Sequence, residues 1–202
     1  MKVSELNIPL LRHSGSGNFL LLAGPCVVES EEITFRVAAE AVKLCEKYRI
    51  PLIFKSSYRK ANRSRLDSFT GIGDVKALEI LAAVREKYSV PVVTDIHSPE
   101  EARMAADYVD VLQIPAFLCR QTELLTAAAA TGKVVNVKKG QFLAPWDVKG
   151  IVSKLEASGT RQIMLTERGV SFGYNTLVND MRALPIMAQT GYPVIFDATH
   201  SV

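Results

Sequence analysis

The densest group of chemically active side chains is the stretch 55–64, KSSYRKANRS, which holds four cations, an amide and three serine hydroxyls. It directly follows the apolar run 51–54. Lys and Arg make charge-assisted hydrogen bonds to phosphate or carboxylate, and Ser and Asn fill the remaining acceptor sites. The stretch therefore predicts an anion-binding loop, although a solvated basic surface loop has the same composition.

The bulk composition predicts a globular cytoplasmic protein. The chain has 202 residues and a net charge of only +3, which gives little support to nucleic-acid binding by bulk electrostatics. Cys26, Cys45 and Cys119 are odd in number and widely spaced, which argues against a secreted disulfide scaffold. No apolar run reaches the length of a membrane span, and the first residues lack the apolar centre of a signal peptide.

The elements that must position these groups are seven apolar runs that alternate with helical patterns. Helices are predicted from the cap Ser30, at 74–88, from Ser98, at 121–131, around 148–155 and at 176–189. Strict alternation of strands and helices indicates a parallel sheet with right-handed crossovers. The strands are predicted at 19–23, 51–56, 92–95, 109–114, 134–137, 163–165 and 193–196.

Nearly every predicted strand ends in polar side chains. An open sheet gathers its ligand groups at one switch point, whereas a barrel draws them from most of its strands. The sequence therefore predicts an α/β fold, a TIM (β/α)8 barrel over residues 19–202 with residues 1–18 as an appendage. Because a complete barrel takes about 250 residues, we expect the eighth strand and last helices to be absent from this sequence. The polar strand ends are Cys26, Lys55, Asp95 with His97, Gln113, Lys138, Glu167 with Arg168, and Asp197 with His200.

Five cations from three strand ends would meet in the mouth of such a barrel. So much positive charge requires anions to balance it, which predicts one or two substrates rich in phosphate and carboxylate. Asp95 and Asn62 suit hydroxyls or a hydrated carbonyl, but Asp95 is equally well explained as a helix cap or an ion-pair partner. The five cations are Lys55, Lys60, Arg63, Lys138 and Arg168.

Cys26 and His200 end the first and seventh strands and are candidate metal ligands. Thiolate and imidazole suit a borderline divalent ion such as zinc or iron(II), but two ligands are too few to define a site. A buried cysteine is also commonly a small apolar residue, and His97 is either a further ligand or a strand-end hydrogen-bonding residue. The chain has no glycine-rich nucleotide loop and no Gly-x-Ser-x-Gly elbow.

Together these motifs resemble the 3-deoxy-D-manno-octulosonate 8-phosphate synthase family, from about residue 19 to the end. The family condenses phosphoenolpyruvate with D-arabinose 5-phosphate and releases inorganic phosphate, on the route to the Kdo sugar of lipopolysaccharide. The motifs are AGPC (23–26), KSS (55–57), KANRS (60–64), TDIH (94–97), QIPAFLCRQ (113–121), NVKKGQ (136–141), LTERG (165–169) and DATHS (197–201).

The resemblance also implies which residues hold each substrate. Asn62 and Asp95 would contact the aldose hydroxyls, and Arg63 and Ser64 would bind its distal phosphate, with Lys55 in the same anion-binding floor. In a homotetramer, a neighbouring subunit would help through Phe117, Arg120 and Gln121. Phosphoenolpyruvate would be held by Lys60, Lys138, Arg168 and the backbone of Ala116, with Gln113 nearby.

The implied reaction begins when C3 of the enol attacks the aldehyde carbon. A water then adds at C2, and the intermediate loses phosphate by C–O cleavage. The cations would stabilise the charge that develops and fix the reactants at attack distance. Asn62, Asp95 and His200 are the candidate catalytic residues, and Asp95, His200 or a water at the metal would carry protons.

Cysteine at position 26 places the chain with the metal-dependent branch, because asparagine there goes with the metal-free one. The resemblance thus implies a divalent iron, zinc or manganese on Cys26 and His200, and no organic cofactor. The family's other two ligands, a Glu and an Asp, belong to segments that this sequence does not contain. We therefore expect the sequence to be part of a longer protein.

Three alternatives stay open at this stage. The related 3-deoxy-D-arabino-heptulosonate 7-phosphate synthase uses erythrose 4-phosphate and carries Arg-Thr where this chain has Asn62-Arg63. A Schiff-base aldolase on Lys138 or Lys139 would be revealed by borohydride trapping of a substrate adduct. A non-catalytic sugar-phosphate-binding barrel remnant would show no turnover, with an intact mass that ends at Val202.

Overall fold

A computed structural model of the chain describes residues 1–201, in which seven strands of one sheet alternate with α-helices. The described ladders of the main sheet are parallel, and its strand order follows the chain order. This confirms the predicted fold class, with one strand fewer than a complete (β/α)8 barrel. The sheet consists of β1 (Leu21–Ala23), β2 (Leu52–Lys55), β3 (Val92–Asp95), β4 (Val111–Ile114), β5 (Val134–Lys138), β6 (Ile163–Glu167) and β9 (Val194–Phe196).

Within residues 1–201, six α-helices alternate with these strands, one single-turn 3-10 helix precedes β1, and two more follow β4 and β5. Among residues 1–201, no helix is both long and apolar enough to cross a bilayer. The α-helices are α1 (Glu31–Tyr48), α2 (Asp74–Tyr88), α3 (Pro99–Ala106), α4 (Thr122–Ala130), α5 (Val148–Ala157) and α6 (Ala183–Ala188). The 3-10 helices are Val3–Glu5, Ala116–Leu118 and Pro145–Asp147.

The chain divides into two compact units, which are described separately. The amino-terminal unit comprises residues 8–95 and 104–111, and the carboxy-terminal unit comprises residues 1–7, 96–103 and 112–201. In the first unit Ser30 caps α1 as predicted, because its hydroxyl accepts a hydrogen bond from the Ile33 N–H at 3.2 Å.

Close packing of β1 on β2 fixes the backbone at the point where these two strands end. A side chain at Gly24 would lie 2.0 Å from the carbonyl oxygen of Lys55, so only glycine fits there. Lys55 in turn pairs in register with Val93 of β3. The polar ends of these strands are therefore held at fixed offsets by backbone contacts.

In the carboxy-terminal unit, strand register aligns the polar strand ends. Lys138 pairs with Thr166 and Glu167 pairs with Phe196, so β5, β6 and β9 end at one edge of the sheet. Residues 1–7 belong to this unit: Leu6 is buried, and the Asn7 N–H donates to Gln162 Oε1 at 2.6 Å. The domain boundary after residue 18 stays a prediction.

The predicted helix at 176–189 is wrong over its first half. Residues 170–178 instead form an antiparallel hairpin of β7 (Val170–Ser171) and β8 (Leu177–Val178). The helix α6 begins only at Ala183, because Pro185 is tolerated in a first helical turn but not in a helix interior. The hairpin turn places Gly173 and Asn175 at positive φ.

Candidate active site

A half-buried ion pair lies at the ends of β2 and β3 in the amino-terminal unit. Lys55 Nζ is 3.2 Å from Asp95 Oδ2 and donates to Ser57 Oγ at 2.8 Å. The Ser57 hydroxyl in turn donates a short hydrogen bond to Asp95. Of the two explanations for Asp95, the ion-pair partner is thus present in the structure. Sequence reasoning did not single out the bridging role of Ser57.

The basic loop after β2 forms one wall of a cavity of about 660 Å³. All four predicted ligands of this loop are exposed and line that cavity, and Glu29 and Phe69 lie among its other lining residues. The backbone closes the loop at its base, where the Lys60 N–H donates to the Thr70 carbonyl at 2.8 Å. The predicted ligands brought together here are Lys60, Asn62, Arg63 and Ser64.

Two arginines of the loop have structural partners. The Arg63 guanidinium donates to the carbonyls of Leu66 and Ser68, both at 3.1 Å, which folds the loop around it. Arg59 forms an ion pair with Asp74 at 3.1 Å. Arg63 therefore combines a place in the cavity wall with a role in shaping it.

In the carboxy-terminal unit, Asp197 joins two of the predicted site residues. Lys138 Nζ lies 2.5 Å from Asp197 Oδ2, and His200 Nδ1 lies 2.9 Å from the same oxygen. Burial raises the pKa of Asp197, but the Lys138 ion pair and the hydrogen bonds from His200 outweigh it and lower the pKa to about 2. Asp197 is therefore an ionised carboxylate that binds both Lys138 and His200. The sequence indicated it only as a polar strand end.

Arg168 follows β6 and offers an unused donor. Its Nη2 donates to the His200 carbonyl at 2.9 Å. Its Nε is buried and has no hydrogen-bond partner among residues 1–201. The guanidinium carries further N–H donors besides Nε and the one directed at the His200 carbonyl, so Arg168 is suited to bind an anion.

Gln113 belongs to a buried polar ladder across three strands. Asn136 Nδ2 donates to Gln113 Oε1 at 2.8 Å, and Thr166 Oγ1 donates to Asn136 Oδ1 at 2.8 Å. The sequence predicted Gln113 but missed Asn136, which donates to it, and Thr166, which donates to Asn136. A polar residue inside an apolar run, as in VVNV at 134–137, was the signal that could have found them.

Ala116 is buried in its 3-10 helix, and the segment after it is largely exposed. Phe117 is 59% exposed, and Arg120 and Gln121 are exposed, whereas Cys119 is buried. Arg120 lines a second cavity, of about 390 Å³, with Asp147 and Lys154 among the other residues around it. The predicted contribution of this segment to a neighbouring subunit stays a prediction.

Lys139 is fully buried, unlike its neighbour Lys138. Its ammonium lies within 3.4 Å of four oxygens, including Oε1 of Glu167. Burial lowers the pKa of Lys139, partly offset by Glu167. A lysine without solvent access cannot reach a substrate carbonyl in this conformation, which disfavours the Schiff-base alternative on Lys139.

The donor chemistry of the two candidate metal ligands fits a divalent ion. Cys26 has a free, exposed thiol. The Nδ1 of His200 is held by Asp197, which leaves Nε2 for a metal, the usual arrangement of a ligating histidine. His97 instead has its Nδ1 2.8 Å from Glu101. No group of three or more metal-binding side chains occurs within residues 1–201.

The fold and these strand-end clusters define a (β/α)-barrel protein with anion-binding groups. Residues 8–202 match the DAHP synthetase I family. The chain therefore belongs to the DAHP synthetase I family.

Curated relatives narrow the resemblance further. A protein of Trichlorobacter lovleyi is 58% identical over 198 residues, 98% of this chain and 73% of that protein. One of Geobacter sp. strain M21 is 58% identical, over 98% of this chain and 72% of its own length. One of Cyanothece sp. is 59% identical over 184 residues, 91% of this chain and 67% of its own. All three are named 2-dehydro-3-deoxyphosphooctonate aldolase, which confirms the resemblance.

Proposed function

We propose that this chain carries out the reaction for which its relatives are named. It condenses phosphoenolpyruvate with D-arabinose 5-phosphate and water to give 3-deoxy-D-manno-octulosonate 8-phosphate and inorganic phosphate, for Kdo and lipopolysaccharide biosynthesis. It is thus a transferase that forms a C–C bond. The observation that carries the proposal is the cavity of about 660 Å³ whose wall is formed by the loop 60–64.

Phosphoenolpyruvate is assigned to the carboxy-terminal cations. It carries a phosphate and a carboxylate, and Lys138 keeps two ammonium donors beyond the one directed at Asp197. The Arg168 guanidinium, whose Nη2 donates to the His200 carbonyl, supplies further donors from its remaining N–H groups. The backbone of Ala116, with Gln113 nearby, completes this assignment, and the resemblance adds Lys60.

The aldose phosphate is assigned to the amino-terminal cluster. Arg63 and Ser64 bind the distal phosphate from the cavity wall, where an exposed guanidinium can form two parallel hydrogen bonds. Asn62 and Asp95 contact the sugar hydroxyls. Lys55 holds Asp95 in place through their ion pair at 3.2 Å.

The cations accelerate the reaction by placing and stabilising charge. C3 of the enol attacks the aldehyde carbon, water adds at C2, and cleavage of the C2–O bond releases phosphate. Lys138 and Arg168 stabilise the phosphate as it leaves, which is the electrostatic contribution that fixed donors make best. Asp95 is the side chain assigned to proton transfer, because His200 has its Nδ1 bonded to Asp197 and its Nε2 assigned to the metal. Asn62 orients the aldehyde.

A divalent metal is part of the proposal. Cys26 and His200 would hold iron, zinc or manganese, with further ligands beyond these two. When bound, the ion supplies Lewis-acid polarisation. What this chain contributes is the orientation of His200 by Asp197.

The quaternary state and compartment are proposed on similar grounds. The chain assembles as a cytoplasmic homotetramer in which Phe117, Arg120 and Gln121 reach a neighbouring subunit. Their exposure within the carboxy-terminal unit supports this assignment. Sedimentation equilibrium gives the test, and a monomer at assay concentration would contradict it.

Phosphate release from phosphoenolpyruvate with each of two aldoses tests the function. We expect phosphate release with D-arabinose 5-phosphate to be at least about 100-fold faster than with D-erythrose 4-phosphate. The reason is that the aldose subsite accepts a sugar phosphate of one chain length. Release with erythrose 4-phosphate alone would instead establish the heptulosonate alternative. No release with either would overturn both activities.

A further inference from the structure

The most deeply buried charged side chains of the carboxy-terminal unit are Lys139 and Glu167. Their side chains are 0% and 3% exposed, and Lys139 Nζ lies 3.4 Å from Glu167 Oε1. Lys139 Nζ also donates to the carbonyls of Gly140 at 3.3 Å, Leu143 at 3.1 Å and Gly169 at 3.3 Å. One ammonium therefore links the segment after β5 to the segment after β6.

The residues joined by this ammonium flank Lys138 and Arg168, two of the proposed ligands of phosphoenolpyruvate. Lys139 directly follows Lys138, and Arg168 lies between Glu167 and Gly169, both of which bind the Lys139 ammonium. The backbone closes the same turn. The Lys139 N–H donates to the Thr166 carbonyl at 2.8 Å, and the Gly169 N–H donates to Glu167 Oε1 at 2.6 Å.

Stability alone does not account for a buried ion pair. Removing two charges from water is costly, and an apolar pair of similar volume is often as stable or more so. Charged partners instead add a fixed geometry, because one ammonium fixes the positions of several oxygens at once. Phosphate recognition needs such fixed donors, since small displacements of the reacting groups cost large factors in rate.

We infer that Lys139 and Glu167 are positioning residues for phosphoenolpyruvate, which hold the cations Lys138 and Arg168 at the spacing of its phosphate and carboxylate. This inference rests on the proposed function for the identity of the ligand. It assigns a role in the reaction to two residues that touch no substrate. The pair acts on the enol donor only, because its contacts lie within the carboxy-terminal unit.

The experiment compares Glu167→Gln, Lys139→Met and the double variant with the wild-type protein. Each is measured by calorimetric titration with phosphoenolpyruvate, by KM for both substrates and by thermal unfolding. Gln keeps an oxygen for the Gly169 N–H but removes the charge. The double variant removes both charges, so it contains no unpaired buried ion.

Asp110→Asn is the matched control. Asp110 is also buried, accepts from the Val92 N–H at 3.0 Å and pairs with Arg85 at 3.0 Å. It therefore has the same kinds of partner as Glu167, in the other unit. We expect its loss to lower Tm and leave both KM values within twofold.

For Glu167→Gln we expect the Kd and KM of phosphoenolpyruvate to rise at least about 10-fold, with the aldose KM within twofold. The double variant should regain most of the lost Tm but keep the weakened affinity. If Glu167→Gln fails to fold, the Kd and KM of the double variant for phosphoenolpyruvate alone test the inference. A Kd for phosphoenolpyruvate within twofold of wild type in either variant would overturn the inference. So would a double variant in which both the Tm and the affinity for phosphoenolpyruvate return to wild-type values.

The failure of the proposed function has a different signature. A wild-type protein that binds phosphoenolpyruvate but releases no phosphate with either aldose refutes the proposed activity, while the affinity comparison still decides the inference. A wild-type protein that does not bind phosphoenolpyruvate overturns both.

Discussion

The two clusters of proposed substrate ligands differ in how their side chains are held. In the carboxy-terminal unit Lys138 is 13% exposed at a strand end and is paired with a carboxylate. In the amino-terminal unit the proposed aldose ligands Asn62, Arg63 and Ser64 are exposed on a loop without regular secondary structure. One cluster is fixed by the sheet, and the other by the hydrogen bonds of its own loop.

This difference matches the demands of the two proposed ligands. The enol donor loses its phosphate in the reaction, so its cations must be fixed where charge develops. The distal phosphate of the aldose does not react. It needs binding rather than preorganised catalysis, which exposed loop cations can provide. The comparison therefore predicts that changes in the first cluster lower both the rate and the affinity for phosphoenolpyruvate, whereas changes in the second lower only the affinity for the aldose.

The largest effect should come from Lys138→Met. We expect kcat/KM for phosphoenolpyruvate to fall about 10²–10³-fold, the usual loss of one fixed donor to developing charge. Steady-state kinetics measures it. Lys149→Met, which replaces an exposed lysine of α5, is the control and should change nothing. A loss of less than threefold for Lys138→Met would remove this residue from the site.

Arg63→Ala should have an intermediate effect that is specific for the aldose. Loss of charge-assisted hydrogen bonds of about 1.5–3 kcal/mol should raise the aldose KM about 10- to 100-fold. The KM of phosphoenolpyruvate should stay within twofold. Arg65→Ala is the matched control, because Arg65 lies in the same loop but pairs with Asp67 in solvent. Equal increases in both KM values would contradict the division of labour.

Asp197→Asn should have the smallest effect, and on metal affinity. Without the carboxylate that orients His200, competition with a chromogenic chelator should show metal binding about 10-fold weaker. Cys26→Ser should show a larger loss, because it removes a ligand. Unchanged affinity in both variants would refute the proposed metal ligands.

The fold was predictable because parallel strands buried on both faces appear as continuous apolar runs. The runs 51–54 and 134–137 therefore coincide with β2 and β5 to within one residue at each end. The hairpin at 170–178 was not predictable in this way. Its strands are two residues long and partly exposed, so they carry no apolar run.

The strand-end residues of the site were predictable from their position, but their pairing was not. The charge of Lys138 is visible in the sequence, whereas its contact with Asp197 depends on the alignment of β5, β6 and β9. Lys139 illustrates the limit more strongly. A lysine is exposed by default, and nothing in the sequence indicates that the second of two adjacent lysines is fully buried.

Calorimetric titration with phosphoenolpyruvate, without aldose, tests the division of labour most directly. Three proteins are compared: wild type, Lys138→Met and Arg63→Ala, each checked for folding by thermal unfolding. We predict that Lys138→Met weakens binding at least about 10-fold, whereas Arg63→Ala binds within twofold of wild type. Weak binding by Arg63→Ala together with unchanged binding by Lys138→Met would contradict the assignment of the two clusters.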